Sequence, residues 1–293
     1  MIIKHKIIKT FLTVSICTLG LFPMVDVKGE TILEEINRTG LLKVGVRNDA
    51  IPFGYRVNGE LRGICVDVIR IIREELRNKL DRDIISINLV VSSLDNRFSI
   101  VENNVVHFEC GPNTIRKLED YQVSFSEPFF LSGIKFIVAK DKQQNLINSD
   151  GKDFTIGLLK NTTTEIFIKE KYPQANFELF QGLRGSERGL QALKQGRIDA
   201  FADDGILLLG QSIAQRLPLG ENHNFILAPD PPFTCEKYGL IIPQNDPDWE
   251  NFVNNSVNLE QKMGIINNWF KDFLPSISTK NTIEKCQLNI SKK

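Results

Sequence analysis

The sequence contains few of the residues that build metal centres. It has 3 histidines and 5 cysteines in 293 residues, and no two cysteines form a CxxC pair. His107 and His223 stand alone, which argues against a zinc site, because zinc needs clustered nitrogen and sulfur ligands. A GxSxG motif is absent as well, since in GSERG (185–189) the serine is displaced. These absences argue against a zinc enzyme and against a serine hydrolase.

Charge of one sign is not in excess either. The chain has 36 basic and 36 acidic side chains, so its formal net charge is 0. Nothing in this charge balance calls for nucleic acid or an anionic membrane surface, and we expect neither partner. With 42% hydrophobic and 25% charged residues, the composition is typical of a folded globular protein large enough for two hydrophobic cores.

Long hydrophobic runs are confined to the first segment. A lysine-containing start (1–10) precedes an apolar run (11–25), and Gly29 supplies a small residue for a cleavage site. The run is shorter than the roughly 20 residues that a membrane-spanning helix needs. We therefore predict a signal peptide over residues 1–29 and localisation in the periplasm.

The cysteines leave two questions open. Cys17 allows a lipid-anchored alternative, although Ile16 stands where the lipidation motif has a small residue. After cleavage an even number of cysteines would remain in an oxidising compartment, which favours a disulfide but permits three connectivities. The remaining cysteines are Cys65, Cys110, Cys235 and Cys286.

The alternation of predicted strands and helices indicates an α/β fold. Residues 41–46 have the pattern of a buried strand, 66–80 that of an amphipathic helix, and 85–91 that of the next strand. After a polar stretch the pattern restarts, with a strand, a hydroxyl-rich turn and a helix over residues 154–172. Such alternation is typical of βαβ units and a mainly parallel sheet.

The C-terminal part predicts a chain that crosses twice between two lobes. An isolated strand (238–243) and an amphipathic helix (260–274) are too little for a third domain, so we expect them to complete the first lobe. The cleft between two such lobes is where small ligands bind. The predicted division is a signal peptide (1–29), lobe 1 (30–138 plus 234–276), lobe 2 (139–233) and a tail (277–293).

Several segments, taken in order, resemble the periplasmic solute-binding proteins of ABC transporters for polar amino acids, sometimes called family 3. They are LLKVGVRNDAIPFGY, RGICVDVIRII, FECGPNTI, VSFSEPFF, LLKNTTTE, GRIDAFADD, YGLIIPQNDP and WFKDF. The resemblance implies a periplasmic-binding-protein type II (Venus flytrap) fold that closes on one amino acid and docks on an ABC permease in the inner membrane. The glutamate/aspartate-binding branch looks most similar. We accordingly expect a monomer without cofactor or catalytic activity.

Two turns in the second half carry candidate ligand residues. The run TTTE (162–165), between a strand and a helix, is typical of an N-cap with a capping glutamate, and by the resemblance Thr163 binds the ligand's α-carboxylate. Asp204, five residues after the aspartate of GRIDA, matches the position that receives the ligand's ammonium group. The neighbouring Asp203 is expected to be a solvated acid.

Arginines in the first half match the positions that bind a side-chain carboxylate in the glutamate/aspartate branch. Arg47 follows the first strand, and Arg97 lies in SSLDNR before a predicted helix. A planar guanidinium suits a carboxylate because it offers two parallel donors. Phe53 matches an aromatic position against the ligand's aliphatic part, although a place in the core is an equally good interpretation.

The loop after FEC is expected to hold the bound amino acid through backbone and hydroxyl groups of Gly111, Asn113 and Thr114. The family usually has an arginine six residues before the phenylalanine of its FS dipeptide, but this sequence has Glu119 there. Arg116, three residues earlier, is the candidate substitute, because residues i and i+3 share a helical face.

Two alternatives remain on the same fold. A periplasmic cyclohexadienyl dehydratase would need a positioned acid or base in the cleft. A ligand-sensing module would need a membrane span or a fused kinase, and neither follows residue 25.

A second departure from the resemblance is Ser186, which stands where the acidic-ligand branch has a histidine.

Overall fold

The computed structural model of the protein describes residues 29–256 and Gly264. The predicted helix at 260–274 and the tail at 277–293 lie outside the described residues, Gly264 apart, and so does nearly all of the predicted signal peptide. Within the described part of the chain, every helix is too short or too polar to cross a membrane.

Helices and strands alternate along the described chain, as predicted. The helices are α1 (Ile32–Thr39), α2 (Ile64–Leu80), α3 (Ser99–Glu102), α4 (Gln143–Ile147), α5 (Thr163–Lys171), α6 (Gly185–Lys194), α7 (Gly205–Ala214) and α8 (Pro247–Ser256). The strands of the first half are β1 (Leu41–Arg47), β2 (Asp49–Ala50), β3 (Gly54–Val57), β4 (Glu60–Arg62), β5 (Ser86–Ser92), β6 (Phe108–Cys110), β7 (Val123–Phe125) and β8 (Phe130–Ser132). The remaining strands are β9 (Ile134–Ala139), β10 (Thr155–Leu159), β11 (Asn176–Phe180), β12 (Ala200–Asp204), β13 (Phe225–Ala228), β14 (Glu236–Tyr238) and β15 (Ile241–Pro243).

Local sequence explains the start and end of several elements. Helix α1 begins at a capping box, in which Thr31 and Glu34 satisfy each other's backbone N–H groups, and it ends at the left-handed Gly40. The dipeptide Asn58-Gly59, a typical hairpin signal, joins β3 to β4 with positive φ at both residues. Helix α2 buries its apolar face, including Ile72, in lobe 1.

Lobe 1 is the five-stranded sheet β5-β1-β6-β15-β7 with the helices that pack on it. The strands β5, β1 and β6 are parallel, and β15 is antiparallel to both β6 and β7. The lobe contains a disulfide between Cys65 in α2 and Cys110 at the end of β6, with Cα atoms 5.7 Å apart. This resolves the connectivity that the sequence left open for these two cysteines, while Cys286 lies outside the described residues.

Lobe 2 is the five-stranded sheet β11-β10-β12-β9-β13 with its helices. Strands β11, β10 and β12 are parallel, and β9 is antiparallel to β12 and β13. Each lobe thus has a parallel core of three strands to which antiparallel strands are added, within a mixed α/β architecture. The carboxyl ends of the parallel strands carry the turns that position the site.

Two strands connect the lobes, β8 and β14, which pair antiparallel as a separate two-stranded sheet. The predicted boundary at residue 138 is wrong by one strand, because β9 (Ile134–Ala139) pairs with β12 and β13 of lobe 2. An apolar strand has the same pattern in either sheet, so the sequence could not assign it. The single strand predicted at 238–243 is in fact divided between the crossing strand β14 and β15 of lobe 1.

Candidate functional site

A cavity lies between the two lobes and encloses about 550 Å³ of empty space, open solvent included. It is lined by residues from the turns after β1, β5 and β6 in lobe 1 and from the starts of α5, α6 and α7 in lobe 2. Six charged side chains contribute to its polar lining. They are Arg47, Asp49, Arg97, Arg116, Asp203 and Asp204.

Arg47 is the last residue of β1 and is 4% exposed. Its Nε donates a hydrogen bond to Asp49 Oδ1 at 2.6 Å. Burial favours the neutral guanidine, but the charge and hydrogen bond of Asp49, together with Glu109 and Asp203, keep the pKa of Arg47 above its usual value. Arg47 is therefore a cation that is already paired with Asp49.

Arg97 is buried without a carboxylate bonded to it. It is 3% exposed, and its Nη2 donates to the carbonyl oxygen of Asn161 at 3.2 Å. Its Nε is buried with no hydrogen-bond partner among the described residues. Burial, followed by the positive charges of Arg47 and Arg116, lowers the pKa of Arg97 to about 9. An anion in the cavity would supply what this guanidinium lacks.

Arg116 adds a third cation to the cavity lining. Its guanidinium carbon lies 5.3 Å from the centre of the Phe98 ring, on which Arg97 also packs at 4.8 Å. Its Nη1 is 3.5 Å from the Thr114 carbonyl oxygen. Burial lowers the pKa of Arg116, and the charge of Glu236 opposes that shift.

Asp204 lies at the opposite wall, where β12 ends and α7 begins, and it is 5% exposed. The Tyr238 hydroxyl, from the crossing strand β14, donates to Asp204 Oδ2. Oδ1 is buried and has no partner among the described residues. Burial, and then the charges of Asp203 and Glu236, raise the pKa of Asp204 well above its usual value. A cation placed at Oδ1 would reverse that effect.

Asp203 corrects the expectation of a solvated neighbour. It is only 4% exposed, and its Oδ1 accepts a hydrogen bond from the backbone N–H of Asp204 at 2.9 Å. Burial raises the pKa of Asp203 to about 7, against the backbone hydrogen bond and the charge of Arg47. The cavity therefore contains two adjacent buried acids from lobe 2.

The start of α5 supplies the hydroxyl-rich part of the lining. Thr162 is the N-cap, and its Oγ1 accepts from the Glu165 N–H at 3.1 Å, as the capping pattern predicted. Thr163 Oγ1 lies 3.4 Å from Thr114 Oγ1, so the two hydroxyls meet across the cavity from opposite lobes. The free N–H groups at a helix start favour an anionic guest.

Three of the predicted ligand residues do not line the cavity. Phe53 is fully buried in the core of lobe 1, where its ring packs edge-on against Phe130 and Tyr238. Gly111 and Asn113 lie beneath the lining, next to the buried Glu109. A Cβ atom at Gly111 would come within 2.9 Å of Arg47 Cγ, so glycine allows the arginine to pack there.

Glu119 is outside the cavity as well. It is exposed and pairs with Lys117, with 3.2 Å between Nζ and Oε1. The acid that stands in place of the family's arginine is therefore not part of this lining, whereas Arg116 and Ser186 are.

Glu109 is a residue that sequence reasoning missed. It is fully buried in β6, accepts from Ser92 Oγ at 2.6 Å and from Asn113 Nδ2 at 2.5 Å, and its charge acts on both Arg47 and Arg97. Burial raises the pKa of Glu109 despite these bonds. The available signal was a single acid inside the apolar strand FEC, since a buried carboxylate needs partners.

Among the described residues, no group of three or more histidine, cysteine, aspartate or glutamate side chains is arranged to hold a metal ion. What the arrangement offers is a set of fixed charges of both signs around a small space. Such a lining suits a small polar ligand that carries both an anionic and a cationic group.

The chain is similar in sequence to known amino-acid-binding proteins. The chain is 26% identical over 271 residues to a glutamate/aspartate import solute-binding protein of Salmonella typhimurium, covering 88% of this chain and 83% of that protein. It is 28% identical over 214 residues to a glutamine-binding protein of Geobacillus stearothermophilus, covering 72% and 76%.

Solved structures show the same fold. An ancestral amino acid-binding protein, a precursor of cyclohexadienyl dehydratase, superimposes with a TM-score of 0.67 at 23% identity, covering 83% of this chain and 99% of that chain. The solute receptor for L-cysteine of Neisseria gonorrhoeae gives 0.67 at 23% identity, covering 85% and 95%. Residues 42–276 match the family of bacterial extracellular solute-binding proteins, family 3. With its two-lobed α/β fold and charged interlobe cavity, this chain is a member of that family.

Proposed function

We propose that the protein is the extracytoplasmic substrate-binding component of an ABC transporter and that its ligand is an acidic amino acid, glutamate or aspartate. The ligand binds between the lobes and is delivered to a permease in the inner membrane. Residues 1–29 direct export to the periplasm. The protein binds its ligand without chemical turnover.

The observation that carries this proposal is a pair of unsatisfied buried atoms on opposite walls of the cavity. Arg97 Nε comes from lobe 1 and Asp204 Oδ1 from lobe 2, and neither has a partner among the described residues. Buried polar atoms are hydrogen-bonded in most proteins, because an unmade bond costs about 1–3 kcal/mol. A ligand with an anionic and a cationic group satisfies both atoms at once.

The charges suggest how the ligand lies. Its ammonium group binds Asp204 Oδ1, and its α-carboxylate binds Thr163 and the N–H groups at the start of α5. The side-chain carboxylate then binds at Arg97 and Arg116, since Arg47 is already paired with Asp49. Closure of the lobes strengthens each contact by removing water from it.

The names of the relatives leave two classes of ligand to distinguish, acidic amino acids and glutamine. Similar proteins are named for glutamate and aspartate import, whereas the glutamine-binding relative has a comparable identity. Glutamate and glutamine differ only in the side-chain carboxylate and amide. The distinction therefore depends on the arginines of lobe 1.

The test is calorimetric titration of the mature protein, freed of bound ligand by unfolding and refolding, with glutamate, aspartate, glutamine, asparagine and arginine. We expect glutamate or aspartate to bind at least tenfold more tightly than the amides. At a hundred times its dissociation constant the ligand should add about 2.7 kcal/mol to the free energy of unfolding. Tighter binding of an amide or of arginine would contradict acidic specificity. Release of product from prephenate would contradict the assignment as a binding protein.

A further inference from the structure

Asn161, between β10 and α5 in lobe 2, has a backbone conformation that few residues adopt. Its φ is +65°, in the left-handed region that asparagine tolerates better than most other side chains. Its backbone N–H donates to Glu165 Oε2 at 2.8 Å, and the N-cap Thr162 binds the backbone N–H of the same glutamate. The turn is thus fixed from within lobe 2.

The facing turn of lobe 1 is equally well defined. After β5 the chain turns over Ser93–Arg97, where the Ser93 N–H donates to Asn96 Oδ1 at 2.7 Å. The Arg97 N–H donates to the Ser93 carbonyl oxygen at 3.1 Å. This turn fixes the backbone of Arg97, but it does not fix the guanidinium at the end of a long side chain.

Asn161 makes two hydrogen bonds across the gap between the lobes. Its carbonyl oxygen accepts from Arg97 Nη2 at 3.2 Å, and its Nδ2 donates to Asp95 Oδ1 at 3.0 Å. Both partners belong to one turn of lobe 1. A single residue of lobe 2 therefore contacts the arginine of the cavity and a neighbouring acid on the rim.

The bond to Arg97 matters because of what else orients that side chain. The Phe98 ring supports the guanidinium at 4.8 Å, and Nε has no partner among the described residues. A free arginine side chain has many rotamers, and fixing them costs free energy when a ligand binds. The Asn161 carbonyl reduces that cost before the ligand makes contact, but only while the lobes are together.

We propose that Asn161 is a positioning residue for the ligand's side-chain carboxylate. Its left-handed backbone presents a carbonyl oxygen that orients Arg97 across the lobe interface, and its side chain holds the lobes together through Asp95. Closure of the lobes thus places the Arg97 guanidinium in its binding orientation. This inference rests on the proposed function, since it deepens how the same site selects an acidic ligand.

The experiment separates the two bonds of Asn161 by substitution. Asn161→Val disfavours the left-handed backbone and displaces the carbonyl, whereas Asn161→Gly keeps that conformation and loses only the side chain. Asn161→Asp keeps the conformation and places a carboxylate opposite Asp95. Dissociation constants for glutamate and glutamine are measured by calorimetry, and dissociation rates by stopped flow.

We expect Asn161→Val to weaken glutamate binding about tenfold while glutamine binding changes less, so that the preference for the acid falls. Asn161→Gly should keep the preference for glutamate of the unaltered protein. It should weaken the binding of both ligands only about twofold, because the lost hydrogen bond to Asp95 is exposed to solvent and contributes little. Asn161→Asp should speed the dissociation of both ligands and leave the ratio of their dissociation constants unchanged.

Asn104 provides a matched control. It lies in an exposed turn of lobe 1 with φ +55°, and its carbonyl oxygen accepts from Lys43 Nζ at 3.4 Å. Asn104→Val and Asn104→Gly should leave both affinities unchanged, which shows that a strained turn alone does not alter selectivity.

The outcomes are distinguishable. If the unaltered protein binds no amino acid, the proposed function is wrong and this inference is wrong with it. If the unaltered protein prefers glutamate and Asn161→Val keeps both the affinity and the preference, only the inference is overturned. Should Asn161→Val melt lower without ligand, Asn161→Asp decides instead, because an unchanged dissociation rate in that variant overturns the role of Asn161 in closure.

Discussion

The two lobes share an architecture but supply charges of opposite sign to the cavity. Lobe 1 supplies Arg47, Arg97 and Arg116, and lobe 2 supplies Asp203 and Asp204. The acid that lobe 1 adds to the lining, Asp49, is already bonded to Arg47. Apart from the buried Glu109 beneath them, the remaining charged groups of lobe 1 are thus cationic and those of lobe 2 acidic, so the two walls are complementary.

In the proposed function, this difference allows a small ligand to favour the closed arrangement of the lobes. A ligand shifts a conformational equilibrium only by the difference in its affinity for the two states. An amino acid with charges of both signs contacts both walls only when the lobes are together. In the proposed orientation lobe 2 recognises the groups that all amino acids share, and lobe 1 recognises the side chain.

Removal of the disulfide should have the largest effect and should act on lobe 1. Cys65 and Cys110 are 45 residues apart, for which loop-closure entropy gives roughly 4 kcal/mol of stabilisation. We expect the Cys65→Ala, Cys110→Ala double variant to lose up to that amount in urea unfolding. Hydrogen exchange should rise in α2 and β6 before it rises in lobe 2, and equal exchange in both lobes would contradict this view.

Replacement of Asp204 by asparagine tests the shared contribution of lobe 2. Asparagine keeps the size of the side chain but removes the charge that the ligand's ammonium group needs. Loss of a buried charge partner costs about 2–5 kcal/mol, so we expect at least about thirtyfold weaker binding of every amino acid in calorimetry. Asp141→Asn, at an exposed acid of lobe 2, is the control and should bind normally. A loss confined to acidic ligands would reverse the proposed orientation.

Acid should destabilise lobe 1 through His107. Burial, and then the charge of Lys43, lowers the pKa of this histidine from 6.5 to about 4, against the pull of Glu35. The unfolded chain therefore binds the proton first, so stability is present above pH 6.5 and is lost as the pH falls toward 4. The expected loss between pH 7 and pH 5 is about 2 kcal/mol.

The measurement is the difference in urea unfolding between the protein and His107→Asn at both pH values. In the unaltered protein, His107 Nδ1 accepts a hydrogen bond from the backbone N–H of Lys43 at 3.2 Å. Asparagine keeps an acceptor for this N–H group. The difference isolates His107 from Asp203, whose raised pKa gives a change of the opposite sign. His223 in lobe 2 is exposed, so lobe 2 lacks a comparable buried histidine among its described residues. If the free energy of unfolding differed between the two proteins by the same amount at pH 5 as at pH 7, the prediction would be contradicted.

Arg97→Gln should have the smallest effect and the most selective one. Two other arginines remain on the cavity, so we expect about a tenfold loss for glutamate and little change for glutamine. Arg70→Gln, at an exposed arginine paired with Asp67, is the matched control. Equal losses for glutamate and glutamine in calorimetry would mean that Arg97 does not read the side-chain carboxylate.

The positions of several cavity residues followed from local pattern. Arg47 follows a predicted strand, and Thr163 and Asp204 lie in two turns that the sequence marks as candidates. The carboxyl ends of parallel strands meet at one edge, so such residues come together whatever the details of the packing. Their roles in ligand binding remain predictions.

Other positions could not be found in this way. Phe53 has the same sequence pattern whether it faces a ligand or the core, and the strand 134–139 has the same pattern in either sheet. Asp203 and Asp204 are neighbours of one residue type, and only packing shows that both are buried. Each of these choices depends on contacts between segments far apart in the chain.

The α/β alternation, the helix caps and the hairpin turn can be recognised from local sequence, because they depend on hydrophobic period and on the conformations of neighbouring residues. The pairing of Cys65 with Cys110, the crossing point of the chain and the burial of Glu109 emerge only from the folded chain. The same holds for the contacts of Asn161 with Arg97 and Asp95 across the gap between the lobes. These features depend on distances between residues of the two lobes and of separate strands, which no local pattern contains.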